Sequence, residues 1–405
     1  MTLSILPTFT TVQRKASHKH WVEVAHKTAE KLRADVVERD SANLPPFAAK
    51  KILQDSGLLP LNIPRSLGGE GLNLHEAFEL VQIIARADNS TGQLLGYHYL
   101  FQVFPYLDIE GERAQQLATD SITNRWLFSS TGTPQGSQVQ AQRVEGGYII
   151  NGLKPFATGS RVADQIFARV FTAEGDRIAL LVDTTVDGVV LHDDWDVLGS
   201  RGTATNSIEF RDVFVAQEAV IADVGPTDAD REVYKTLSTL GFQLLFSTVY
   251  LAAAEGAFLE ALGYTRDTSR PWFHADVQKA TDDPYIVRTY GELASKLQAL
   301  SALVQQATDS LDWLISQGKE ITLEQRSAVA ENIVAAKITA HEVSLEVTQR
   351  VFDVTGARAT KTELGLDRHW RDVRTHTLHD PVAYKCKELG AYLLNGELPV
   401  PSAYQ

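Results

Sequence analysis

Three periodicities follow one another along the chain. From about His18 to Ser121 apolar residues recur at helical spacing: His75 to Ala87 sets Ala77, Phe78, Val81, Ile84 and Ala85 on one face, and Pro45, Pro60, Pro64 and Gly68-Gly69 punctuate the connections. From about Trp126 to Val220 the pattern shortens to strands. Gln138 to Asn151 reads as a hairpin turning at Gly146-Gly147, while Gln165 to Phe171 and Ile178 to Val182 flank a Glu-Gly-Asp turn. From about Asp228 onward long helical segments are broken near Ser269–Trp272, Asp282–Pro284 and Gly318, with turn signals near Gly356 and Gly365. Few Gly or Pro lie inside them, as in a bundle of long helices. Helices, then strands, then helices again form an α+β chain, mostly α, without the β-α alternation of a doubly wound sheet.

Composition narrows the function. The 405 residues carry a net charge of −13, which argues against a phosphate-rich polymer as partner, and 44% of them are apolar, enough to bury a sizeable core. Cys386 is the one cysteine, so a disulfide framework, a zinc finger and a chain-held iron–sulfur cluster are excluded. The apolar stretch Leu240 to Ala254 contains Gln243, Ser247 and Thr248 and is too short for a bilayer, so it reads as a buried core helix. The start, MTLSILPTFTTV, lacks the basic-then-apolar order of a leader. A soluble, cytoplasmic protein with a small-molecule site is the expectation, with neither nucleic acid nor membrane as partner. Neither a Walker loop, a GxGxxG nor a GxSxG elbow is present to say which chemistry that site performs.

Several constellations remain. Ser129 to Ser137, Phe156 to Ser160 and Gly199 to Thr205 are rich in hydroxyls and glycine and sit at strand ends; each alone is an ordinary surface loop, but together they suggest one cleft. Trp195, Phe156 and Trp126 are candidate walls for a flat cofactor, and equally candidate core. Arg358, Arg368, Arg371 and Arg374 crowd one acidic chain's C-terminal part, with Arg270 a possible fifth; they suit a phosphate, or else salt bridges with neighbours such as Asp367 and Asp372. His376 and His379 precede Asp380-Pro381, which reads as a helix start with Asp as N-cap, a good place for proton transfer. His-x-x-His supplies too few ligands for a metal, and none is expected. His98 stands alone, and a satisfied core histidine is its default.

The order of domains, together with Asn62-Ile63-Pro64 and Leu67-Gly68-Gly69-Glu70-Gly71, resembles the acyl-CoA dehydrogenase superfamily over essentially the whole chain. That resemblance implies a helical domain at 1–123, a middle β-barrel domain at 124–225 and a four-helix bundle at 226–405. A dehydrogenase of that superfamily needs a carboxylate to remove the acyl α-proton. The matching loop here reads Thr375 to Asp380, no Asp or Glu occurs between Glu232 and Glu255, and Phe242 falls where the alternative base would be. Leu95-Gly96-Tyr97-His98, Asp193-Asp194-Trp195, Arg270-Pro271-Trp272, Asp283-Pro284-Tyr285, Gly356-Ala357-Arg358 and Val373 to Pro381 are instead similar to the two-component flavin monooxygenase branch.

What this branch implies is specific. Reduced FMN, with FAD as the alternative, would arrive from a separate NAD(P)H-flavin reductase and react with O2 as co-substrate. Arg270, Arg358, Thr360 and His376 would bind flavin phosphate or ring edge, with Trp195 and Thr205 packing on the flavin. His98, Thr158 and His379 would surround flavin C4a as catalytic residues, and Tyr97, Phe242, Leu245 and Phe246 would wall an apolar substrate site. Ser130 and Gln135, also flavin-side positions, depart from the branch, which has Asn at both. The implied reaction is oxygenation of a small apolar heteroaromatic, in the first place sulfoxidation of a dibenzothiophene-like organosulfur compound, by a homotetramer. The alternatives are hydroxylation of an indole, phenol or amine nitrogen on the same scaffold, or acyl-CoA dehydrogenation with FAD.

Overall fold

The computed structural model describes residues 17–132, 139–225, 231–402 and 404. Helices α1 (His18–Arg33), α2 (Val36–Ser41), α3 (Phe47–Ser56), α4 (Leu74–Ala87), α5 (Asn89–Leu100) and α6 (Gly111–Asn124) come first. Strands β1 (Phe128–Ser130), β2 (Gln140–Val144), β3 (Gly147–Lys154), β4 (Gln165–Thr172), β5 (Arg177–Asp183), β6 (Val189–Leu191), β7 (Ile208–Ala216) and β8 (Val220–Gly225) follow. Helices α7 (Ser238–Asp267), α8 (Pro284–Ser316), α9 (Leu323–Thr355), α10 (Arg368–His376) and α11 (Val382–Asn395) close the chain.

Local chemistry sets these boundaries. Asn73 and Glu76 form a reciprocal capping box that starts α4, and the Asp283 carboxylate accepts the Tyr285 N–H at 2.9 Å with Pro284 in the first turn of α8. The expected hairpin is β2–β3, paired antiparallel down to Val144 opposite Gly147, and the second expected pair is β4–β5. The β domain expected as a barrel is a single eight-stranded mixed sheet, ordered β6-β7-β3-β2-β4-β5-β8 with β1 on β4, whose pairing path ends at β6 and β8. Alternate residues of β4 and β5, among them Ile166, Ala168, Leu180 and Val182, bury one face of it.

Helix α7 is longer than the apolar stretch foretold. Its 30 residues would suffice to cross a bilayer by length, so the length argument against a span fails. Burial carries the conclusion instead, because 83% of its apolar window is enclosed by the protein. Helices α4, α5, α8 and α9 pack around it, and small residues such as Ala252, Ala253 and Gly256 let them approach closely.

The sheet domain is docked on the bundle through the segment after β6. A Cβ at Gly199 would lie 2.1 Å from the carbonyl oxygen of Arg371, so only glycine allows this contact between backbones. Next to it, the Ser200 N–H donates to Asp372 Oδ1 at 2.6 Å, and burial pushes that carboxyl up to about 7. Gly199→Ala is expected to cost about 1–3 kcal/mol by overpacking, seen as a lower Tm in thermal unfolding.

The arginine cluster divides here. Arg368 forks onto Glu260, and Arg371 bonds Asp40 and Asp367, so both are internal ties between elements. Burial opposes ionisation of Glu260, yet His369 and Arg368 outweigh it and hold the carboxyl at about 2, below its ordinary 4.5. A depressed carboxyl stabilises the fold fully above its unfolded pKa and loses that contribution as pH falls through the folded one. Glu260→Gln should therefore lower the Tm at neutral pH, and its difference from the parent should shrink as pH falls from about 4.5 toward about 2.

Candidate active site

Three elements converge on one trough. The first is the pair of strand-end loops. Phe156, Ser200 and Ala204 adopt left-handed backbone, with φ of 59°, 54° and 46°, and this turns the hydroxyls of Thr158, Thr203 and Thr205 into one chain. Thr203 and Thr205 hydroxyls lie 2.7 Å apart, and Thr205 donates to Thr158 Oγ1 at 3.1 Å. Beside them Phe156, 58% exposed, meets Trp195 edge to face at 6.3 Å, and the Trp195 indole N–H is anchored on the Ser200 carbonyl.

The second element is α5 against the N-terminal half of α7. Tyr97 hydrogen-bonds Thr158 and Gln93, and burial pushes its phenol up to about 12, so it stays a proton donor. Its ring meets Phe242 at 5.0 Å and Phe246 at 6.3 Å. Phe242, Phe246 and Tyr250 are four residues apart, on one helical face turned to this trough.

The third element is the turn between α10 and α11. His376 and His379 stack nearly parallel at 5.7 Å, and their rings lie 4.6 Å and 4.9 Å from that of Phe246. The Tyr250 hydroxyl sits 2.8 Å from His376 Nδ1; desolvation first, then His379 and Lys337, hold His376 well below its ordinary pKa. His379 Nδ1 lies 3.1 Å from Asp380 Oδ1.

Several expectations change. Asp380 is not a helix cap: the N-cap position of α11 is Pro381, without a side-chain cap bond, and the Asp380 carboxylate is bonded to buried Lys337. His98 does not face the trough. Its Nδ1 accepts the Phe128 N–H at 3.1 Å, its Nε2 lies 2.9 Å from the Leu59 carbonyl oxygen, and burial pushes it down to about 4, which makes it a neutral core histidine. Leu245 is not a wall either; it is fully buried against Gly96, where a Cβ would lie 2.2 Å from its Cδ1. Gln135 lies outside the described residues, while Ser130 ends β1, half-buried, on the Thr131 strand end. Tyr250, Lys337 and Gln243 join the site although no motif marked them.

Arg270, Arg358 and Thr360 are not brought to this trough. Phe246 lies 21 residues before the end of α7 at Asp267, so Arg270 is about 30 Å away along the helix axis at about 1.5 Å per residue. Arg358 donates to the Thr268 carbonyl at 2.9 Å, which puts both guanidinium groups at one end of the bundle, exposed and without an ion-pair partner among the described residues. Thr360 bonds the Ala357 carbonyl there, and Trp272 and Phe273 are 65% and 76% exposed beside Arg270.

Residues 244–383 match the family described as "Acyl-CoA dehydrogenase, C-terminal domain". The chain is 36% identical to a dibenzothiophene monooxygenase of Mycolicibacterium goodii, over 97% of this chain and 98% of that protein. The chain belongs to the flavin-dependent monooxygenase branch of the acyl-CoA dehydrogenase superfamily. Within that branch, the solved FMN-bound TdsC of Paenibacillus sp. A11-2 superposes with a TM-score of 0.91 at 35% identity, covering 95% of this chain and all of that one. The methanesulfinate monooxygenase MsuC of Pseudomonas fluorescens gives 0.91 at 33% identity, covering 95% and 99%. Branch membership fits the absence of Asp and Glu between Glu232 and Glu255, the stretch that carries Phe242 and Phe246. Asp380, the one carboxylate at the trough among the described residues, is held far below the ordinary range: burial opposes this, but His379 and Lys337 outweigh it, and it is no proton acceptor.

Proposed function

We propose that this chain is an FMNH2-dependent monooxygenase that adds one oxygen atom to an organosulfur acceptor, in the first place the sulfur of a flat heteroaromatic such as dibenzothiophene. The observation that carries the reading is the trough itself: Thr158, Tyr97 and His379 around one aromatic cluster, with no free carboxylate among the described residues. The Phe156–Trp195 wall and the hydroxyl chain of Thr158 and Thr205 would flank a flat ring system, the hydroxyls offering donors and acceptors to a heteroaromatic edge. When bound, reduced FMN supplies activation of O2, one atom going to the acceptor and the other leaving as water.

The chain's own residues then have distinct tasks. Thr158, fixed by Thr205 and Tyr97, holds a hydroxyl at the reacting edge. His379 delivers or takes a proton at Nε2, which has no hydrogen-bond partner among the described residues, because Nδ1 is committed to Asp380. Tyr97, Phe242 and Phe246 exclude water and orient an apolar acceptor. The flavin phosphate is held from elsewhere: a second copy of the chain presents its Arg270 and Arg358, the exposed basic end that cannot reach the trough within one subunit. This reading makes the active protein a homo-oligomer, as expected for a homotetramer, fed with reduced flavin by a separate reductase.

The discriminating experiment supplies the purified protein with either FMNH2 and O2 or an acyl-CoA and an electron-accepting dye. Oxygenated product from dibenzothiophene or indole, without dye reduction, is expected. Dye reduction by acyl-CoA with no oxygenated product would overturn the assignment.

A further inference from the structure

Lys337 lies midway along α9, 3% exposed, directly after the apolar run Ile333 to Ala336. Its ammonium meets Gln243 Oε1 of α7 and Asp380 Oδ1 and stands 5.0 Å over the centroid of the Phe246 ring. A buried ammonium costs several kcal/mol unless it is well paired, so its retention here needs a reason. Asp380 offers one. Its Oδ1 is shared by Lys337 and His379 Nδ1, whereas its Oδ2 is buried with no hydrogen-bond partner. A carboxylate with an idle buried oxygen stays ionised only while a cation stands beside it. An ionised Asp380 in turn keeps the proton of His379 on Nδ1, which leaves the Nε2 lone pair for the trough.

We infer that Lys337 is a positioning residue of the oxygenase, a buried ammonium that acts through Asp380 to fix the ring orientation and proton tautomer of His379. The inference rests on the reading that His379 serves the flavin trough. The same arrangement lets an internal cation govern proton delivery at a centre that it does not touch. At metal sites, removing the carboxylate that orients a functional histidine costs about 10- to 100-fold, and a loss of that order is expected here.

The pH sign follows from the surroundings. Burial pushes Lys337 down to about 8, against the pull of Asp380. The groups facing this network are Asp380 and His379 from the turn before α11, His376 and Arg374 of α10, Tyr250 of α7, Tyr97 of α5, Lys385 and Glu388 of α11, and His341 on α9. Lys385 and Glu388 are themselves paired at 2.9 Å and oppose each other's effect. Below about 8 the ammonium is charged and the relay is whole; above it the relay is lost.

The test has a flavin-free arm and a turnover arm, with Lys337→Gln, Lys337→Arg, Asp380→Asn and His379→Ala. In the first, acylation of His379 by diethylpyrocarbonate is followed by peptide mass spectrometry on the flavin-free protein. Lys337→Gln and Asp380→Asn should slow it by about 10-fold, and Lys337→Arg, which keeps the charge, should not. In the second, product formed per FMNH2 consumed is measured against pH. The parent should lose coupling above about 8, Lys337→Gln should be uncoupled throughout, and Lys337→Arg should lack the alkaline loss. Parent-like acylation and pH profile in Lys337→Gln would overturn the inference even if His379→Ala uncouples. Unchanged coupling in His379→Ala would overturn the role of His379 itself, while the acylation arm still judges the relay. If Lys337→Gln does not fold, Asp380→Asn decides: unchanged acylation there contradicts the relay.

Discussion

Replacing His379 by alanine is expected to lower coupled oxygenation by about 100-fold or more, with flavin consumption continuing and hydrogen peroxide appearing in place of product. The size follows from position: with Nδ1 on Asp380, His379 keeps an Nε2 that has no hydrogen-bond partner among the described residues, whereas burial holds His376 well below its ordinary pKa and both ring nitrogens of His98 face backbone groups. Because the ring is 37% exposed at a turn, removing it leaves no core cavity, and the Tm should barely move. Paired measurements of product and peroxide, with thermal unfolding, check this. A proportional fall of both product and peroxide would point to lost flavin binding instead.

Removing the exposed guanidinium group in Arg358→Ala should weaken FMN binding by about 10- to 100-fold, the weight of a charge-assisted bond to phosphate. Titration of flavin fluorescence reads it directly. The further expectation is complementation. Arg358 and His379 cannot serve one flavin from a single chain, because α7 separates their ends by about 30 Å. Mixed oligomers of Arg358→Ala and His379→Ala chains should therefore contain some sites built from intact residues of each, and regain activity that neither variant has alone. No recovery on mixing would place both residues at one chain's site.

Much of the fold was legible because the periodicity changes twice and turn chemistry marks the changes. Gly146-Gly147 turns its hairpin, and the break expected near Asp282–Pro284 falls where α8 begins. Two of the hydroxyl-rich strand ends, Phe156 to Ser160 and Gly199 to Thr205, meet as expected through Thr158 and Thr205, while residues 133–137 of the third lie outside the described residues. Other points were not legible. Asp380-Pro381 carries a helix-start signal, yet the carboxylate does better beside a buried ammonium than on free N–H groups, and tertiary pairing overrides the local cap. Two of the clustered arginines, Arg368 and Arg371, proved to be ties to Glu260 and Asp40, acids far away in sequence. His98 and Tyr97 are adjacent, and only the rotation of α5 decides which faces the trough. Lys337 carries no mark in the sequence beyond following the apolar run Ile333 to Ala336, and its meaning depends on Gln243 and Asp380 from other elements.

The most direct test of the central claim is a single turnover with heavy-isotope O2: the protein is mixed with stoichiometric FMNH2 and dibenzothiophene, and the products are read by mass spectrometry. Dibenzothiophene carrying one heavy oxygen atom on sulfur is expected, in an amount approaching the flavin supplied. Hydrogen peroxide alone, with unlabelled dibenzothiophene recovered intact and indole and smaller organosulfur acceptors equally unchanged, would contradict it.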